Sequence, residues 1–387
     1  MVSTPSLQAV KTNAGSNKFN MSNKQQIKRE RIYGIDLLRI IAMLMVCIIH
    51  VNLFNPASSK SLAPSAPIFY FNYWIECIGF IGVNLYAMIT GYVCIESTWK
   101  PSRYLKLWIQ VAFYTLAISA LFYILTINQI YLCWGIKSSI KIAFKLFFGS
   151  TYWYFAAYSA LFFLIPFINT ALNNLTKKHY VLLLFFTCII LSLANLYNSG
   201  EIYHNGYNAF WLIIMYLAGG FFRKNPITIK SWILITLSII CTLLTLILNN
   251  IHFPCKFNPA SLSYTSLTMI TYTFCIFLLI SNLKITSPLL QKIIIFAAPL
   301  SFGVYLIHVH PASWIALRRE IPKLAEQLDY AWWITITGGL ILYIICLFCD
   351  WGRAKLFKLL QIDRLAENIT NYIQRKLTAR TSRQENL

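Results

Sequence analysis

Apolar residues run through this chain in long blocks, and short polar, mostly basic stretches separate them. An α-helix needs about 20 predominantly apolar residues to cross a hydrocarbon core ~30 Å thick. Ten blocks of that order can be drawn, at 35–54, 70–95, 104–127, 150–172, 179–198, 206–222, 231–251, 264–282, 291–311 and 331–349. They predict an all-α polytopic membrane helix bundle of about ten transmembrane helices, built as one unit with no internal repeat. Three stretches fall outside the pattern. Residues 1–30 are polar, rich in Ser, Asn and Lys, and lack an apolar core, which predicts a disordered cytoplasmic tail. Residues 128–149 carry Lys137, Lys141 and Lys145 four apart, hence on one face of a short amphipathic surface helix. Residues 351–387 form a second, basic cytoplasmic tail, with a surface helix in its last part. The bundle between the tails is residues 31–350.

Composition agrees with the blocks. Of 387 residues 58% are hydrophobic and only 12% charged, against about 25% charged in soluble proteins. The net charge of +21 would suggest nucleic acid as a partner in a soluble protein. Here its distribution gives another reason. With the N-terminus inside, cytoplasmic segments collect 24 Lys and Arg, counting Lys106 and Lys292 at the cytoplasmic ends of their blocks, and the outer loops 8, which is the positive-inside bias. Both termini are therefore expected in the cytoplasm, and membrane lipids, not nucleic acid, are the expected surroundings. No cleavable signal segment is expected before the first span, which directs its own insertion. Most of the ten cysteines lie inside spans as small apolar residues. Cys133 and Cys255 fall in outer loops, where they could pair, and no metal site is expected of the Cys346–Cys349 CxxC, which has no second pair.

The charged exceptions inside the blocks are the candidates for chemistry, because ionisable groups at membrane depth are costly. In DLLRIIAMLMVCIIHVNLF, Arg39 and His50 are eleven residues apart. That is three turns plus about 20°, so both side chains share a helix face roughly 16 Å apart along the axis. Asp36, one turn before Arg39, can pair with it and lower the cost of burying the guanidinium. An imidazole is the natural general base at this depth. Glu76, Thr90, His308 and His310 complete the set of polar residues within spans. Arg103 and Lys106, one turn apart at the cytoplasmic mouth of the third span, can address one anionic ligand together, phosphate above all. Tyr152, Trp153 and Tyr154 fall at the outer interface, where an aromatic belt is ordinary but rings can also stack on sugars. Tyr305, His308 and His310 reach the outer end of the ninth span, either lining an acceptor site or simply meeting water. A soluble-type serine triad, a zinc hydrolase and a phosphate loop are unsupported, since G-x-S-x-G, H-E-x-x-H and a glycine-rich loop are absent.

These residues together resemble the acyltransferase-3 family of bacterial integral-membrane O-acyltransferases, over about 31–350. IYGIDLLRIIAMLMVCIIH is similar to the family's first span, an acidic residue and LR followed by His. LYAMITGYV resembles its FFxxSGF stretch, with Thr90 in place of Ser before Gly91. SRYLKL resembles the R-x-x-R cytoplasmic motif, with Lys106 at the second Arg. TYWYFAAYSALFFLIP is similar to the W-[FY]-x-x-x-Y…P span through Trp153, Tyr154, Tyr158 and Pro166. FWLIIMYLAGGFFRK resembles the Y-L-x-G stretch, and SFGVYLIH the closing Tyr–His segment.

The resemblance implies a multi-pass enzyme of the bacterial plasma membrane. Its donor would be an acyl-coenzyme A, most often acetyl-coenzyme A, arriving from the cytoplasm as a substrate with no permanently bound cofactor. Its acceptor would be a hydroxyl of a surface or lipid-linked glycan. By carry-over, His50 is the catalytic base or transient acyl carrier, with Arg39 and Asp36 supporting it. Arg103 would bind the coenzyme phosphates, and Lys106 would add a point charge without the bidentate fork of Arg. Trp153, Tyr154, Tyr158, Tyr305 and His308 would face the substrate. The competing class is a polysaccharide exporter, which also suits a bundle with intramembrane Arg and His. The chain lacks the paired, interrupted half-repeats usual in alternating access.

Overall fold

The computed structural model describes residues 31–58, 67–128, 135–147, 152–196, 204–250 and 262–384. Every regular element among them is helical and none is a strand. The helices are α1 (Tyr33–Phe54), α2 (Pro67–Gly79), α3 (Gly82–Cys94), α4 (Pro101–Ile127), α5 (Ile136–Phe147), α6 (Trp153–Asn173), α7 (Lys177–Leu196), α8 (Ala209–Lys224), α9 (Ser231–Asn250), α10 (Leu267–Ser281), α11 (Pro288–Ala297), α12 (Ser301–His308), α13 (Pro311–Gln327), α14 (Ile334–Leu359) and α15 (Ile362–Gln384). The unit Tyr33–Leu387 is one compact body. The expected N-terminal tail, 1–30, and the pair Cys133 and Cys255 lie outside the described residues.

Each of the ten apolar blocks falls on helix, but only eight of the resulting spans are long and apolar enough to cross a membrane. Two of those are broken: Pro67–Cys94 is α2 followed by α3, and Pro288–His308 is α11, a single 3-10 turn through Pro299, then α12. The remaining blocks became α8 and α10, of 16 and 15 residues, only about 22–24 Å long at 1.5 Å per residue. Their burial accounts for the shortness. Ten of the residues of α8 are buried, from Trp211 to Phe221, so neighbouring helices cover its backbone where a lipid-facing helix would need full length.

Close backbone approach sets α8 in place. A Cβ on Gly91 would overlap the carbonyl oxygen of Tyr216, and one on Gly219 would overlap that of Met88. Helices α3 and α8 thus touch main chain to main chain through a reciprocal glycine pair, the small-residue contact favoured between membrane helices. Asn84 fixes their register. Its amide donates to the Tyr264 carbonyl (3.1 Å) and to Thr273 Oγ1 (3.3 Å), and its Oδ1 accepts from Trp211 Nε1 (2.8 Å).

Helix α1 is central, packed by α2, α3, α10, α11, α12, α13 and α14. The lysine-bearing segment forms α5 as expected, with Lys137 and Lys141 exposed. The C-terminal basic segment does not begin at a helix end, because α14 runs through residue 350 to Leu359 before α15 follows.

Candidate active site

Two cavities lie in the bundle, one against the second half of α1 and the other walled by α4, α6 and α14, and no residue lines both. The first, about 590 Å³, is walled by His50, Glu76, Tyr86, Trp153, Tyr154, Tyr305 and Trp314 among others. The second, about 700 Å³, is walled by Arg103, Lys106, Gln110, Tyr158 and Arg353, with Lys100 and Lys358 at its rim.

His50 stands on the last turns of α1 with Nδ1 2.9 Å from Nε2 of His308. His308 is buried, and its own Nδ1 lies 2.6 Å from the Val304 carbonyl one turn back on α12. A carbonyl only accepts, so His308 Nδ1 must carry the proton and donate it. In the neutral imidazole Nε2 is then an acceptor, and His50 Nδ1 donates to it. The chain of donors therefore leaves Nε2 of His50 unprotonated on a residue that lines the cavity, while Trp314 packs edge-on against the ring at 4.9 Å. A base held by its second nitrogen is the arrangement proton abstraction requires.

The other expected residues do not gather at one cavity. Trp153, Tyr154 and Tyr305 join His50 in the first cavity. His308 does not line it and acts behind His50. Tyr158 lies in the second cavity, one turn along α6 from Tyr154, with the two rings stacked at 6.4 Å. Arg39 pairs with Asp36 at 2.9 Å and shares with Arg103 an electrostatic reach to Tyr158 and Cys94, both in the wall of the second cavity. Thr90 spends its hydroxyl on the Tyr86 carbonyl of its own helix, 2.9 Å away.

His310 neither lines the first cavity nor meets water. It is fully buried as the N-cap of α13, accepting from the Ala312 amide at 3.1 Å, with Ser119 Oγ 3.3 Å from its other nitrogen.

In the second cavity Arg103 has Ser97 Oγ at 3.5 Å, and among the described residues no carboxylate pairs with it. Lys106 is engaged by Asp363 and Glu367 of α15, each at 3.1 Å. Pro166 shapes the wall. It cannot donate to the Phe162 carbonyl four residues back, and Trp99 Nε1 takes that carbonyl at 2.9 Å. Sequence reading passed over Arg353, whose Nε and terminal nitrogen hold both oxygens of Asp350, at 2.9 and 2.7 Å. Asp350 is wholly buried and also accepts from Tyr114 (2.7 Å) and Gln110 (3.2 Å). An acidic residue and an arginine three apart at the end of an apolar block were a signal for this pair; the charge count absorbed it into a basic tail. Glu76 and Trp314 in the first cavity were likewise assigned no role. Among the described residues no group of three or more His, Cys, Asp or Glu is arranged to hold a metal ion.

The sequence profile of a family described as an acyltransferase domain matches residues 32–350. No curated protein and no solved structure matches the chain. The match begins with α1 and ends at Asp350, so it takes in His50, Arg103, Tyr305 and His308 and stops before Arg353.

Proposed function

Because this chain belongs to the acyltransferase-3 family, and is thus a multi-pass membrane acyltransferase, we propose that it carries an acyl group, normally acetyl, from cytoplasmic acyl-coenzyme A to a hydroxyl of a surface or lipid-linked glycan at a bacterial plasma membrane. The observation that carries this reading is the pair of unlike cavities that α6 separates, Tyr154 lining one and Tyr158 the other. One holds a base with its tautomer set and aromatic rings; the other holds cations, including an unpaired arginine among the described residues.

The donor head belongs in the cationic cavity, taken here as cytoplasmic. Arg103 and Lys106 meet its phosphates, and Arg353 adds a guanidinium whose direction Asp350 fixes. Asp350 already offsets the charge of Arg353, so Arg103 supplies most of the attraction. The pantetheine arm then points along α1 past Arg39 and the Tyr158–Tyr154 pair toward His50. The acceptor enters the other cavity, where Trp153, Tyr207 and Trp314 offer ring faces to a sugar and Glu76 offers a carboxylate to its hydroxyls. Nε2 of His50 takes the proton of the attacking hydroxyl. The proton returns to the coenzyme thiolate as it leaves.

Steady-state kinetics with acetyl-coenzyme A on protein in lipid nanodiscs test this. Arg103→Ala should raise the KM for acetyl-coenzyme A about ten- to a hundredfold, the value of a charge-assisted contact of ~1.5–3 kcal/mol. Arg103→Lys should recover some of that loss. His50→Ala should leave that KM alone and lower kcat by about 10²–10⁴. A wild-type protein that neither binds nor deacylates acetyl-coenzyme A, while its deletion still blocks glycan export, would overturn the reading in favour of an exporter.

A further inference from the structure

Tyr305 buries its hydroxyl and leaves it without a hydrogen-bond partner among the described residues; the residue is only 7% exposed and lines the cavity that holds His50. Native structures satisfy nearly all such groups, so an orphan in a cavity wall calls for a reason. It sits one turn before His308 on α12, the two rings 6.3 Å apart.

The backbone of Tyr154, in the first turn of α6, lies near enough to act on this hydroxyl without completing a bond of hydrogen-bond geometry. The first amides of a helix have no carbonyl partner within it and carry the positive end of its dipole. The N-cap residue Tyr152 gives them no side-chain oxygen either. Instead the Tyr152 hydroxyl donates to the Leu306 carbonyl at 3.1 Å. That bond ties the start of α6 to α12 beside Tyr305, so the Tyr305 hydroxyl and the first-turn amides of α6 are held at the wall of one cavity, which Tyr154 and Tyr305 both line.

We propose that the Tyr305 hydroxyl and the first-turn amides of α6, Tyr154 foremost, form the oxyanion site for the thioester carbonyl oxygen. This rests on the acyl-transfer reading above and adds a component that reading does not need. As His50 takes the proton from the acceptor hydroxyl, its oxygen bonds to the thioester carbon and the carbonyl π pair moves onto oxygen. The charge on that oxygen meets the O–H of Tyr305 and the N–H of Tyr154. When the pair returns, the carbon–sulfur bond breaks and the coenzyme leaves as thiolate, protonated by His50. The products are the ester and free coenzyme A. Donors fixed in advance of the charge are worth most where water is excluded.

The test is Tyr305→Phe in nanodiscs, with acetyl-coenzyme A as the probe and a membrane extract of the producing cell as acceptor. Release of coenzyme A, acetyl-coenzyme A binding and thermal unfolding are all measured. Loss of one oxyanion donor should lower kcat about 10²–10³-fold, with KM and binding within twofold of wild type. Thermal stability should stay level or rise, because phenylalanine removes a buried unsatisfied hydroxyl. A fluorinated tyrosine at 305 keeps the donor and should restore turnover. Wild-type kcat in Tyr305→Phe, or a loss of kcat that tracks a loss of stability, overturns the oxyanion site alone. A wild-type protein without coenzyme A release overturns the acyl-transfer reading as well.

Discussion

His50 meets its partner across 258 residues of sequence, and the partner decides which of its nitrogens is free. His308 is therefore a positioning residue whose substitution should act through His50. His308→Ala removes the acceptor for the Nδ1 proton, so the imidazole can turn or change tautomer. Turnover should fall by about 10²–10⁴, close to the effect of losing the base itself. His308→Gln keeps a carbonyl oxygen that can accept that proton, and should recover at least a tenth of wild-type kcat. The two variants compared by coenzyme A release, with acetyl-coenzyme A binding as control, check this; equal activity in Gln and Ala would show that orientation is not what His308 supplies. At this scale the sequence is legible where partners share a helix, as Asp36 and Arg39 do. It is silent where the partner lies on a distant one. The closing Tyr–His segment suggested that His308 faces substrate, and only packing of α12 on α1 shows it standing behind His50.

Among the elements, α15 reaches the cationic cavity through Ile362 and Asp363. Asp363 and Glu367 hold Lys106, but they are 86% and 58% exposed. Exposed ion pairs of this kind are worth at most about 1 kcal/mol. They cannot lock the cavity, yet a donor phosphate bound there as proposed would have to displace them. Asp363→Asn with Glu367→Gln should therefore lower the KM for acetyl-coenzyme A by severalfold and leave kcat unchanged; a raised KM would mean that α15 builds the site instead of competing for it. The motifs of α3, α6 and α8 read differently once packed. The glycines of LYAMITGYV and MYLAGG are where two backbones meet, Gly91 on Tyr216 and Gly219 on Met88. Pro166 frees a carbonyl that Trp99 takes. Apolar periodicity gave the helices but not their lengths, because hydropathy does not report whether lipid or protein surrounds a segment. Hence α8 and α10 looked like ordinary spans and are short, protein-covered ones.

For the molecule as a whole, sidedness depends on whether α8 and α10 cross fully. With ten crossings, as with eight, both termini share one side, so terminal reporters alone do not separate the cases. The stretch 225–230 between α8 and α9 does. Full crossing by α8 places it on the side of the termini, in keeping with the basic Arg223, Lys224 and Lys230 around it. A cysteine introduced at Pro226 should thus resist a membrane-impermeant thiol reagent in intact cells and react after permeabilisation; labelling in intact cells would mean α8 stops short. The separation of the two cavities has one more consequence, for the cell instead of the reaction. Tyr154 lines one and Tyr158 the other, their rings stacked between, and no residue belongs to both. A thin, uncharged thioester arm can slip between stacked rings, whereas a hydrated ion must keep its shell or leave it at great cost. A protein that passed acyl groups through such a layer, as proposed above, would work as an insulator as well, and would leave the ion gradients of its membrane intact.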